Sequence, residues 1–389
     1  MAGQRNKSNK KFMLLSAIGI FMVVDHHTWI TFNLFGDFLP YNSFFMPMFV
    51  FISGYFNKVD SSTNLWQYIW KKIKTLLVPY AGISLCVFLI QQLINWFKLG
   101  EFPSLPSWYL SYTLERIATV GSFAQIAAPM WFVIALFMSL IVYAVLKKLL
   151  NRIWNSWVML VLFIGLHILA VHLAQTVQPD SLARFLLPLK VLFFLPFIEM
   201  GIIYREHLEK KHDGLSGGWK IALMFLLLVV NTARTMYLPN AYDIAFDGLA
   251  EMAEFTSPYP VTPLISSLIG ILFWLTLVDL AGKPVYESRF VNFMSCNTFW
   301  IMGFHILFFN ILNCILLVIN EHITPLLYFD AGAFLESEWY YWQLSNNFKL
   351  VYLLFGILGP LGLKWIWDRV RASAGKAIHS LLPSSRAAG

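Results

Sequence analysis

Apolar stretches of about twenty residues recur along almost the whole chain. Each is long enough to cross a hydrocarbon core of ~30 Å as a helix. That recurrence predicts an all-α integral membrane protein. Hydrophobic residues make up 58% of the 389 and charged residues 13%, against about 25% charged in a soluble domain. The mean hydropathy is +0.63. The first stretch lacks a small-residue cleavage site and carries polar groups at its end, so it is not expected to be a cleaved signal peptide. Cys86, Cys296 and Cys314 fall in apolar segments at unrelated spacings, which predicts core thiols with no disulfide framework and no metal cluster.

Ten transmembrane helices are expected, near 12–34, 40–57, 75–97, 127–147, 155–176, 184–204, 218–237, 259–281, 290–319 and 349–369. With the N-terminus in the cytoplasm, all but six of the 28 basic residues fall in inner loops or tails. The six are Lys98, Arg116, Arg184, Lys190, Arg234 and Lys349. This bias predicts cytoplasmic N- and C-termini. The reading is one domain over 1–389, with cytoplasmic tails at 1–11 and 370–389 and no appended soluble domain. The formal charge of +7 reflects that loop bias, because no basic stripe interleaves with exposed aromatics as nucleic-acid binding would require. The outer stretches 98–126, 238–258 and 320–348 are long and aromatic, with acidic groups such as Asp243, Asp247, Glu251, Glu254, Glu336 and Glu338. They are candidates to cover an external site or to form interfacial aromatic belts.

Polar residues inside the spans carry the functional signal, since ionisable groups in lipid-embedded helices are costly. His27 lies sixteen residues beyond Lys11, and His305 sixteen beyond Arg289. At 1.5 Å per residue each ring sits roughly 24 Å from its cytoplasmic marker. The two helices run in the same direction, so the imidazoles can meet at one depth. Asp25, His26 and His27 are consecutive and fan out by about 100° each, which makes Asp25 a poor partner for His27 within the helix. Gln91 and Gln92 reach a similar level. Lys190 and Arg234 fall in the outer half, where burial and snorkelling are both open. Asn297, Asn310 and Asn313 bracket His305, and interhelical hydrogen bonding explains most such amides. Glu199 and Asp279 lie near Arg205 and Lys283 and are expected to pair locally. Lys71, Lys72 and Lys74 form either a positive-inside anchor or a phosphate-binding cluster.

Several segments in order resemble the acyltransferase family 3 proteins. MVVDHHT (22–28) followed by FFMPMFVFISGYF (44–56) is the most specific piece. KKIKTLLVPY (71–80), PMWFVIALF (129–137), LPFIEMGIIYR (195–205) and SCNTFWIMGFHILF (295–308) follow. The resemblance spans almost the whole chain. It implies about ten helices and transfer of an acyl group, commonly acetyl from acetyl-CoA, to extracytoplasmic glycans. The family's first-helix histidine falls on His27 and its late histidine on His305. Many members carry an arginine eleven residues before the first histidine, where this chain has Ser16, and the family's appended esterase-like domain is not expected here.

The resemblance gives a concrete expectation. Acyl-CoA is the donor, with its phosphates near Lys71, Lys72 and Lys74. His27 is the general base, and His305, Gln91 or Arg234 steadies the oxyanion; a covalent acyl-histidine is the variant route. Trp131 joins Gln91, Arg234 and Lys190 as substrate-binding candidates. No metal is expected. The implied setting is the bacterial cytoplasmic membrane, with membrane lipid, a glycan acceptor and polysaccharide-synthesis proteins as partners and no nucleic acid. The competing expectation is an exporter or flippase of lipid-linked glycans without acyl transfer, and a third is a non-catalytic assembly partner.

Overall fold

The computed structural model describes residues 2–28, 35, 38–60, 62–97, 114–115, 117, 121, 125–176, 186–238, 259–326, 329–336 and 348–381. Among them there is no strand; the protein is a bundle of helices. The elements are α1 (Ala2–His26), α2 (Phe45–Tyr55), α3 (Leu65–Lys72), α4 (Val78–Trp96), α5 (Trp131–Leu149), α6 (Ser156–Thr176) and α7 (Leu186–Ile203). They continue with α8 (Glu209–Asp213), α9 (Gly217–Tyr237), α10 (Thr262–Leu280), α11 (Lys283–Tyr286), α12 (Arg289–Cys296), α13 (Thr298–His322), α14 (Ala331–Glu336) and α15 (Lys349–Leu381). Eight helices among the described residues are long and apolar enough to cross a membrane. The outer acidic and aromatic residues singled out above lie outside the described side chains, as does Arg184.

The first two expected spans are corrected. The segment read as 12–34 ends as a helix at His26, and His27 and Thr28 form a turn. The Thr28 hydroxyl donates to the Asp25 carbonyl at 2.7 Å, offering that oxygen a local partner in place of a continuing helix. The segment read as 40–57 is a one-turn helix at Tyr41–Ser43 and then the eleven-residue α2. At 1.5 Å per residue α2 covers about 16 Å, half of what a crossing needs. The ninth span is also divided: α12 and α13 meet at Asn297, whose side-chain amide donates to the Phe293 carbonyl at 2.7 Å.

Small residues explain how so short a helix is held. A Cβ on Gly54 would overlap the Ile198 carbonyl, and one on Gly201 would overlap the Phe51 carbonyl. The backbones of α2 and α7 therefore touch, which is how helices associate where no hydrophobic force drives them together. Tyr55 completes the joint: its ring stacks on Phe12 at 3.8 Å and its hydroxyl donates to Glu209 at 2.8 Å. The Ser-Gly-Tyr segment is thus a packing device.

Helix α1 sits at the centre and packs against α2, α10, α12, α13 and α15. The non-helical stretch before α2 takes its hydrogen bonds from later helices. Ser267 of α10 donates to the Ser43 carbonyl at 2.7 Å, and Asn231 of α9 donates to the Phe38 carbonyl. The cysteines are another correction: Cys86 and Cys296 are exposed on the bundle's exterior and Cys314 is half-buried, all three free. Lipid satisfies a small apolar side chain as well as a core does.

Candidate functional site

The end of α1 and the second turn of α13 bring His27 and His305 together. The ring centroids are 4.9 Å apart, and His305 Nε2 lies 3.3 Å from His27 Nδ1. His305 is fully buried, whereas His27 is half-buried. Matched depth, read from charge markers alone, therefore led to contact. Each ring is also anchored to its own helix. His27 Nδ1 lies 2.7 Å from the Val23 carbonyl, and His305 Nδ1 lies 2.9 Å from the Ile301 carbonyl.

A carbonyl oxygen only accepts, so both Nδ1 atoms carry the hydrogen and each neutral ring keeps its lone pair on Nε2. The His305 lone pair faces His27 Nδ1–H, which is shared between it and the Val23 oxygen. His26 lies beside this pair, its ring 5.8 Å from that of His27 and 5.6 Å from that of Phe45.

The other expected site residues are distributed around the bundle. Gly303, two residues before His305, fixes one neighbour: a Cβ there would overlap Ile83 of α4. That helix also carries Gln91, which is buried. Lys190 is buried on α7 with its ammonium 4.3 Å from the centre of the Trp131 ring, so these two expected residues do meet. Arg234 is buried rather than snorkelling, and its Nε donates to Asn231 at 2.9 Å. Lys71 and Lys74 are exposed and Lys72 half-buried. Lys72 lies over Tyr68 and Lys74 over Trp70, each at 5.3 Å. Ser16 donates to the Phe12 carbonyl at 2.9 Å, a bond within its own helix.

Two arrangements escaped sequence reasoning. Asp25, fully buried, pairs with Lys349 at the start of α15, 3.6 Å away. At the opposite end of α1, Lys11 is buried between Asp213, at 2.7 Å, and Asp279, at 3.8 Å, while Lys220 also pairs with Asp279. The expected local pairings thus give way to longer ones. Asp279 binds Lys11 and Lys220, Glu199 accepts from Tyr143, and Arg205 donates to the Tyr55 carbonyl at 2.6 Å and to the Asn57 carbonyl. A helix-periodicity argument sees only neighbours three or four residues away.

His212, Asp213 and Asp279 place ligand atoms within 4.8 Å of one another, a spacing that suits a cation. Two ammonium groups already hold those carboxylates, however. The His212 nitrogens face the Tyr204 hydroxyl at 2.9 Å and the Thr276 hydroxyl at 3.0 Å. The cluster is an ionic network. Nearby, burial and then the negative charges of Asp279 and Asp213 push the Tyr286 phenol up to about 12.

The family profile described as an acyltransferase domain, family 3, matches residues 13–335. The chain belongs to acyltransferase family 3. It is an acyltransferase by that membership, with the histidine pair inside the matched residues and α15 beyond them. No curated protein and no solved structure gives a match.

Proposed function

We propose that this family 3 acyltransferase moves an acyl group, acetyl foremost, from cytoplasmic acyl-CoA to a hydroxyl of a glycan on the other side of the bacterial cytoplasmic membrane. The observation that supports the reading is the histidine pair: two imidazoles in contact at the end of a membrane helix, with the hydrogen of His27 on Nδ1 and its basic nitrogen therefore Nε2. The acceptor hydroxyl gives its proton to that nitrogen as its oxygen attacks the thioester carbonyl carbon. The tetrahedral intermediate then expels the CoA sulfur, and His27 returns the proton to it. An ester and free CoA result, and atoms and charge balance.

Two features favour the imidazolium formed midway. Its Nδ1–H stays between the Val23 oxygen and the His305 lone pair. The ring also sits at the C-terminus of α1, where the last carbonyls amount to about half a negative charge. His305 is accordingly a positioning residue in this mechanism. Its own N–H is committed to Ile301, so it has none for an oxyanion, and that role passes to Gln91 on the adjacent α4. The lysines Lys71, Lys72 and Lys74 receive the CoA phosphates, and α4 rises from them toward Gln91. Lys190 and Trp131 line the acceptor side.

The test uses the purified chain in lipid nanodiscs with acetyl-CoA and a glycan acceptor, reading free thiol and ester together. Thiol release that depends on acceptor and vanishes in His27→Ala is the expected result. Undiminished transfer by that variant removes His27 from the chemistry. Absence of both products from every acyl-CoA and glycan tried points instead to export.

A further inference from the structure

An apolar groove of about 610 Å³ runs along α1, on the face turned away from His27. Leu14, Ile18 and Met22 of α1 form its floor, Leu353 and Ile357 of α15 one wall, and Met294 closes the cytoplasmic end. Leu350, Leu354 and Leu358 stand exposed along its lip, so it opens sideways to the bilayer. Its size falls in the range of sites for small organic ligands. The outer end has a different chemistry. The α1 positions 14, 18, 21 and 22 lead by helical periodicity to Asp25, and the α15 wall begins at Lys349. The Asp25–Lys349 pair therefore stands at the head of the groove, with Tyr41 also in its lining.

We infer that this groove seats the hydrocarbon tail of a lipid-linked glycan, with the glycan's first hydroxyls against Tyr41 and Lys349, whose ammonium the buried Asp25 holds in place. A long apolar trough ending in a phenol and an ammonium matches an amphiphile whose head offers hydrogen-bond acceptors. It also explains why a charged pair is kept at a membrane depth where charge is costly. Position supplies the link to chemistry. Asp25 and His27 point to opposite sides of α1 but both stand at its C-terminal end, so a head held there reaches the imidazole over the end of the helix, one helix diameter, ~10 Å, away. The inference rests on the acceptor side of the proposed function and narrows it: the acceptor arrives from within the bilayer, still attached to its lipid.

Photolabelling tests this without acyl transfer. The full chain in phosphatidylglycerol nanodiscs is irradiated with dodecyl maltoside carrying a diazirine on its alkyl chain, and the labelled peptides are mapped. Label is expected on 14–22 and 350–358, displaced by unmodified dodecyl maltoside but not by free maltose or added phosphatidylglycerol. Leu354→Trp, which fills the trough from an exposed position, should lower that label. Lys349→Ala should lower it about ten-fold, as expected for losing a hydrogen bond to a charged group. Label confined to other helices overturns the inference, and so does equal displacement by phosphatidylglycerol, which would mean ordinary boundary lipid. Groove labelling in a protein that transfers no acyl group retains the inference and removes the catalytic reading. Transfer without groove labelling does the reverse.

Discussion

The two ends of α1 hold buried polar side chains to opposite effect. At the Lys11 end, two ammonium groups meet two carboxylates, and Tyr204, His212 and Thr276 form a chain of hydrogen bonds beside them. At the His27 end, two imidazoles meet at 3.3 Å, each anchored to a carbonyl of its own helix. Burial of polar atoms therefore does not by itself mark a functional site. What separates the two clusters is their chemistry: opposite charges hold the first together, whereas the second is a pair of neutral bases in contact.

Substitutions at the two ends should consequently fail in different assays. The largest effect is expected for His27→Ala, with turnover down by ~10²–10⁴-fold, the usual contribution of a positioned base, and the thermal midpoint in detergent nearly unchanged. A matching loss of thermal stability would break the contrast. Asp279→Ala should do the opposite. It leaves Lys11 and Lys220 facing Asp213 alone, and removing one partner of a buried ion pair costs about 3–5 kcal/mol. The expected readout is a lower melting temperature and reduced yield, with per-molecule turnover preserved in what remains folded.

His305→Leu sharpens the comparison further. It removes the acceptor beside His27 Nδ1, a hydrogen bond that becomes charge-assisted in the imidazolium. Such bonds contribute about 1.5–3 kcal/mol, or roughly ten- to a hundred-fold in kcat, with KM for acyl-CoA unmoved. A change confined to KM would contradict a positioning role. The smallest effects belong to Lys71→Ala and Lys74→Ala, where exposed ammonium groups should each raise KM for acyl-CoA only about two- to five-fold, less at high salt.

Much of this was legible in the chain, and what was not has physical reasons. The helices and the meeting of His27 with His305 follow from hydropathy, charge bias and rise per residue. The end of α1 does not, because it is decided by a threonine hydroxyl competing for one carbonyl. Nor does the length of α2, which depends on glycines seated against a helix about 150 positions away. The partners of Asp25 and Asp279 were hidden for the same reason: Lys349 and Lys11 are remote in sequence. Lys11, taken as a marker of topology, proved to be the centre of a buried network. The most specific motif, Ser-Gly-Tyr, turned out to hold helices together, while the catalytic candidates sit in less distinctive surroundings.

The borrowed hydrogen bonds ahead of α2 have a consequence for biogenesis. Carbonyls of Phe38 and Ser43 receive their donors from Asn231 and Ser267, segments that leave the ribosome some 190 to 220 residues later. Until then the nascent N-terminal hairpin must keep those oxygens hydrated or shielded by an insertase, since bare carbonyls in lipid are strongly disfavoured. Chains arrested before residue 231 should therefore linger beside the translocation machinery rather than mature.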